Sequence, residues 1–212
     1  MLNMIGLCLV AGLTATVASA GKLSSKDVDA VLSKYREAEA FRAKVKKTVA
    51  QEVIGTESSG EGRFFFSKGK LRLEMDEPEN TTLVYDGRTI WMETRLDKDT
   101  VEVTKVKSKA LQKNDSLLAT LFERKNILQS FTMISAGEKD GKNVYTFEPR
   151  DKKKTEIRIL DIALDGQELA GIAYEDDREN RVTFEFTDLV REPVPAKKFN
   201  YKPPKGANVT EM

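Results

Sequence analysis

Residues 60–94 read GEGRFFFSKGKLRLEMDEPENTTLVYDGRTIWMET, from Gly60 to Thr94. Phe64 and Phe66 alternate with Phe65, and Leu71, Leu73 and Met75 alternate with Arg72, Glu74 and Asp76. A period of two puts one apolar face on a sheet. After Pro78 the run resumes at Leu83, Val84 and Tyr85, breaks at Asp86-Gly87, and returns through Ile90, Trp91 and Met92. Asp-Gly supplies the positive φ angles of a tight hairpin turn, so the segment predicts a meander of short antiparallel strands. It is rich in apolar side chains and poor in catalytic ones, and whatever covers its apolar face decides what the protein does.

Outward from this block, the strand period recurs. Phe41, Ala43, Val45, Val49 and Val53 alternate with Arg42, Lys44, Lys46 and Thr48, a long strand with one wet face. Alternation returns at 99–107, 131–134, 144–147, 156–164, 169–174 and 181–189, with turn-like breaks at Asp140-Gly141, Asp165-Gly166 and 176–180. Phe199 to Tyr201 predicts an edge strand, followed by a turn at Pro203-Pro204 and an extended tail. Two segments change period. Ser24 to Asp27 forms a capping box ahead of Val28, Val31, Leu32, Tyr35 and Ala38, and Leu117, Leu118, Leu121 and Phe122 form a short helical stripe. The layer rules turn about ten or eleven strands and two or three helices into a mainly β, α+β domain, a large antiparallel sheet curling around helices.

At the start of the chain, Ile5 to Val17 is apolar and Ala18, Ser19, Ala20 precede Gly21, the A-x-A pattern of a signal-peptidase site. Residues 1–20 therefore read as a cleaved signal peptide and 21–212 as one exported domain, although residues 1–20 carry no Lys or Arg. A membrane anchor is the alternative, but the run is short of the ~20 apolar residues a span requires. The remainder keeps all 35 basic and 34 acidic residues, and a net charge of +1 gives no reason to expect nucleic acid or another polyanion.

The sequence has no histidine, and its one cysteine, Cys8, lies in the signal segment. That composition removes soft metal sites, Ser/His and Cys/His nucleophile pairs, and any ordinary base titrating near neutrality. No disulfide can help the mature domain fold. The acidic cluster Glu175, Asp176, Asp177 and Glu179 lacks the spacing of a calcium loop and reads as a solvated turn. Gly60, Gly62, Gly69 and Lys70 lack the strand-to-helix context of a phosphate loop. Lys152 to Lys154, near Lys142 and Arg150, reads as a solvated loop or as a basic docking patch.

Four stretches together resemble the periplasmic outer-membrane lipoprotein carrier proteins, the LolA family, over nearly the whole length after residue 20. They are FRAKVKKTV at 41–49, the strand and hairpin block from Gly60 to Trp91, LDGQELAGIAYEDDRENRVTFEF at 164–186, and AKKFNYKPPKGANV at 196–209. The resemblance implies an unclosed antiparallel β-barrel with an α-helical lid, enclosing a hydrophobic cavity that takes up the acyl chains of a lipoprotein. It implies a monomeric periplasmic chaperone without cofactor or catalytic residues, handed acylated lipoproteins by an inner-membrane lipoprotein-releasing ABC transporter and passing them to an outer-membrane lipoprotein receptor. The other role such half-barrels fill is a lipid- or lipoprotein-sensing regulatory module of an envelope-stress pathway. The absence of an additional domain or a long partner-binding tail favours the shuttle.

By the same resemblance, Leu71, Leu73 and Met75 look into the cavity, followed by Phe41, Val45, Phe64, Phe66 and Trp91. Each faces either lipid or ordinary core. Leu117, Leu118, Leu121 and Phe122 would be the apolar face of a lid helix. The family places Arg-Pro before the strand holding Leu71, where this chain has Ser67, Lys68 and Gly69. Lys68 is then the possible lid latch, as a point charge without the bidentate fork of an arginine.

Overall fold

A computed structural model describes residues 23–107, 129–153 and 155–212. Helix α1 (Ser25–Glu37) is followed by β1 (Ala40–Gln51), β2 (Thr56–Ser67), β3 (Lys70–Met75), β4 (Thr81–Tyr85), β5 (Thr89–Arg95) and β6 (Val101–Lys107). The second half holds β7 (Phe131–Lys139), β8 (Lys142–Pro149), β9 (Ile157–Asp165), β10 (Glu168–Asp176), β11 (Asn180–Val190) and β12 (Asn208–Glu211). Leu117, Leu118, Leu121 and Phe122, the expected lid face, lie outside the described residues.

The capping box forms as the sequence predicts. Ser24 N donates to Asp27 Oδ2 at 2.8 Å, and Ser24 Oγ accepts from Lys26 N at 3.3 Å. These bonds satisfy backbone donors that the first helical turn leaves unpaired. Val28, Val31, Leu32 and Tyr35 then form a buried stripe.

All twelve strands belong to one sheet, in the order β12-β6-β5-β4-β3-β2-β1-β11-β10-β9-β8-β7. Every ladder is antiparallel except that between β12 and β6. β12 and β7 stand at opposite ends with one neighbour each, so the sheet does not close. Buried residues from β1–β5, from β7–β11 and from α1 nonetheless form one hydrophobic cluster, which requires the sheet to curl over a common interior. The fold is thus the expected unclosed barrel, with one element differing. Where the sequence suggests an edge strand at Phe199 to Tyr201 and a free tail, the chain makes a 3-10 turn at Ala196–Phe199 and pairs Asn208–Glu211 with β6. Phe199 is 1% exposed, so burying its ring fixes the backbone there instead of a ladder.

The two tight turns also exchange roles. Gly87 alone takes a positive φ in the Asp86-Gly87 pair, at 95°. Asp86 acts through its carboxylate, whose Oδ1 accepts from Arg88 N at 2.8 Å and Thr89 N at 2.9 Å. Between β2 and β3, by contrast, Lys68 and Gly69 both have positive φ, 47° and 77°, the pattern of a two-residue hairpin turn.

Candidate functional site

Strand register assembles an apolar concave face from the residues named by the sequence. Phe66 lies between Phe41 and Leu71, Phe64 between Ala43 and Leu73, and Gly62 between Val45 and Met75. Phe41, Val45, Phe64, Phe66, Leu71, Leu73 and Met75 all join the hydrophobic cluster, none more than 6% exposed. Phe41 stacks on Phe66 with centroids 5.0 Å apart and lies 5.8 Å from Phe64, which meets Phe186 edge-on at 5.6 Å. Offset and edge-to-face pairs of this kind add stability beyond their area. At Gly62, a Cβ would stand 2.2 Å from the Glu74 carbonyl oxygen and 3.0 Å from Met75 Sδ. Only glycine lets β2 and β3 approach closely enough to seat Met75 there.

The same face continues further than the predicted residues. Tyr85 and Ile90 extend it across the meander, and Phe184, Phe186 and Ile172 carry it into the second half of the sheet. Their alternation is present in the sequence, but the family resemblance directs attention to the first half. Along β1 the stripe is interrupted at Lys47, which shares the face of Val45 and meets Glu79 at 2.6 Å, while Val49 beyond it packs against the same cluster.

Trp91 does not join this face. It pairs in register with Val84 and Lys105 on the outer face, 5.4 Å from the Tyr201 ring and 5.3 Å from Lys105 Nζ. Its neighbour Ile90 takes the inward position, because adjacent strand residues point to opposite faces. Around Trp91 the C-terminal segment forms a second packed layer. Phe65, Val84, Val103 and Phe199 are buried there, and Lys198 Nζ lies 4.4 Å over the Phe65 ring and 3.1 Å from Glu74 Oε1. Burial works to raise the Glu74 carboxyl, but hydrogen bonds from Arg72 and Lys198 outweigh it and hold the group below its ordinary value. Tyr201 donates to Glu93 Oε2 at 2.7 Å, and burial followed by that bond pushes the phenol upward.

Lys68 is 70% exposed at its hairpin tip and pairs with Glu39, 87% exposed, at 3.3 Å. A solvated pair of that kind holds little. The firmer attachment of α1 is elsewhere. Tyr35 donates to Glu168 Oε2 at 2.5 Å and accepts from Leu169 N at 3.0 Å. Arg191 reaches both Glu168 oxygens at 3.1 and 2.8 Å and lies 5.4 Å from the Tyr35 ring. Burial and the bond to Glu168 push the Tyr35 phenol up to about 12. For Glu168, burial pulls upward, yet Tyr35 and Arg191 bring the carboxyl below its usual range. Lys34 Nζ adds a bond to Gln167 at 2.7 Å, and Tyr145 donates to Asp27 at 3.3 Å. A cleft of about 440 Å³, lined by Ala38, Glu39, Ala40, Ser67, Lys68 and Arg191 among others, opens at this end of α1. In the basic loop, Lys152 is 75% exposed and lies 3.7 Å from Glu148.

An unclosed barrel whose concave face is aromatic and aliphatic, with α1 pinned over it, defines a class of half-barrels built around an apolar interior. Comparison with known proteins narrows the class. The family model of the outer membrane lipoprotein carrier protein LolA matches residues 36–202, and the chain belongs to that family. An outer-membrane lipoprotein carrier protein of Ralstonia nicotianae is 30% identical over 162 residues, covering 76% of this chain and 72% of that protein. One from Neisseria meningitidis serogroup C is 26% identical over 208 residues, covering 98% and 96%. A conserved protein of Thermus thermophilus shares the fold at 11% identity, with a TM-score of 0.51 over 89% of this chain and 98% of its own.

Proposed function

We propose that the protein is a periplasmic chaperone that holds the acyl chains of lipoproteins against its concave face and carries them from the inner to the outer membrane. The observation that carries this reading is the continuity of that face. Its buried members from Phe41 to Phe186 are apolar, while Glu93, the one charged residue in the buried class among the described residues, belongs to the outer face. Burying a methylene is worth about 0.8 kcal/mol, so a chain of roughly sixteen carbons holds its membrane with on the order of 12 kcal/mol. A carrier offsets that cost only by offering an apolar concavity, and it must still release what it takes. The described members of this face are buried, so loading requires α1 or another cover to move.

On this reading the chain is exported, cleaved near Ala20, and acts as a monomer without catalysis. It takes triacylated lipoproteins from an inner-membrane ABC transporter and passes them to an outer-membrane receptor. The likeness to the Ralstonia and Neisseria lipoprotein carrier proteins supports the cargo class. The test is to purify residues 21–212 from an envelope extract and identify copurifying molecules by mass spectrometry. Acylated lipoproteins are the expected result. Protein that stays empty and accepts none from transporter-containing inner-membrane vesicles overturns the reading.

A further inference from the structure

The Arg36 side chain is only 10% exposed, and its Nη1 is buried with no hydrogen-bond partner. No other buried side-chain nitrogen or oxygen among the described residues is left in that state. The rest of the group is well held, since Nη2 donates to Asp29 Oδ1 and to Ser33 Oγ, both at 2.8 Å. A guanidinium carries five N–H donors, and a buried donor without an acceptor costs the full desolvation of that group. Such a cost persists when the group serves a partner that is present only part of the time.

Helix geometry says where that partner sits. Asp29, Ser33 and Arg36 follow at i, i+4 and i+7 and line one flank of α1. Asp27 and Lys34 line the opposite flank, and these face β8 and the β9–β10 turn through Tyr145 and Gln167. Between the flanks runs the apolar stripe that ends at Tyr35, whose ring lies 5.1 Å from Phe41. Arg36 therefore marks a polar border of the concave face, and the cleft lined by Ala38 and Ala40 begins just beyond it in the chain.

We infer that Arg36 Nη1 donates a hydrogen bond to an ester carbonyl oxygen of the bound diacylglyceryl group; the inference rests on the acyl-carrier reading above. The carbonyl is the one polar atom at the head of each ester-linked chain, where the apolar face gives way to polar groups. Asp29 already balances the guanidinium charge at 2.8 Å, so the free edge suits a neutral acceptor better than a second carboxylate. The bond would fix how far the chains enter, with the ester level with α1 and the hydrocarbon on Phe41, Phe64 and Phe66.

The test compares two lipopeptides with identical chains, one joined to glycerol by esters and one by ethers, which lack carbonyl oxygens. Affinity is read by displacement of an environment-sensitive acyl probe from the whole protein. Wild type should hold the ester form about tenfold more tightly, the worth of one charge-assisted hydrogen bond. In Arg36→Met the two affinities should converge. Arg36→Lys keeps a cation for Asp29 and removes the Nη1 arm, so it should lose the preference even if the methionine variant folds poorly. Equal affinities in wild type, or a preference that survives both substitutions, overturns the assignment. If wild type binds neither lipopeptide, the carrier reading itself fails and the inference falls with it.

Discussion

Two apolar layers lie back to back on the same strands β2 to β6, and they differ in how they treat polar groups. The outer layer, Phe65, Val84, Val103 and Phe199 with Trp91 and Tyr201, is laced with charges whose partners are fixed. Arg72 Nη1 donates to the Lys198 carbonyl at 3.3 Å, Lys198 meets Glu74, and Tyr201 and Arg95 share Glu93. The buried side chains of the concave layer are hydrocarbon and aromatic ring, and its border carries the one orphaned donor among the described residues. A layer whose polar groups are all matched is complete in itself. One whose buried members are apolar and which leaves a buried donor at its edge is what the acyl-carrier proposal calls for.

The largest test of that contrast truncates one ring on each side. Phe64→Ala and Phe199→Ala each empty a site no more than 1% exposed, and each should cost about 3–5 kcal/mol in urea unfolding. Their effects on cargo should separate. At a temperature where both remain folded, Phe64→Ala should retain several-fold less lipopeptide per folded molecule and Phe199→Ala an unchanged amount. Equal losses from both would make the two layers parts of one ordinary core.

Much of this was legible from alternation alone. Phe64, Phe66, Leu71, Leu73 and Met75 sit on one face because a period of two leaves no other arrangement, and the single sheet follows from the many strands. The choice of face was not legible for Trp91. Within Ile90, Trp91 and Met92 every residue is apolar, so alternation gives no phase, and only the family resemblance points Trp91 inward. Its true position is set by Tyr201, far along the chain, and long-range partners leave no local trace. Nor does composition announce β12 or its parallel pairing with β6. Nothing in the sequence separates Arg36 from any other helix charge, since burial of one nitrogen is a property of the packed structure.

A smaller effect comes from the tyrosines that tie each layer down. Tyr35 fastens α1 over the concave face, and Tyr201 fastens the C-terminal segment to the outer one. The Tyr35 phenol rises from 10.0 to about 12 on folding. Because the folded value is the higher one, the unfolded chain loses its proton first, so this stabilisation is complete below pH 10 and is lost as pH climbs toward 12. Tyr201 is shifted in the same direction. Tyr35→Phe and Tyr201→Phe should each cost about 1–2 kcal/mol at pH 8 and flatten the alkaline decline of the urea midpoint. Only Tyr35→Phe should also speed release of bound lipopeptide, since only that tyrosine holds a cover of the concave face. Faster release from Tyr201→Phe would show that the outer layer takes part in carrying.

The smallest effect belongs to Lys68, and it decides whether the hairpin tip is latch or turn. Its φ of 47° followed by Gly69 at 77° is the conformation that Asn-Gly adopts most readily, whereas a lysine there is strained. If Lys68 is only the first residue of a turn, Lys68→Asn should stabilise the protein by up to about 0.5 kcal/mol, because the side-chain amide tolerates the left-handed region. Loss of the pair with Glu39 should cost almost nothing, both partners being mostly exposed. Lipopeptide retention and release should then match wild type. A latch predicts faster release at the same unchanged or higher stability. That outcome would move the closure of the barrel from the Tyr35–Glu168–Arg191 network to the β2–β3 tip, and would make this chain's Ser-Lys-Gly a working substitute for Arg-Pro instead of a turn that replaced it.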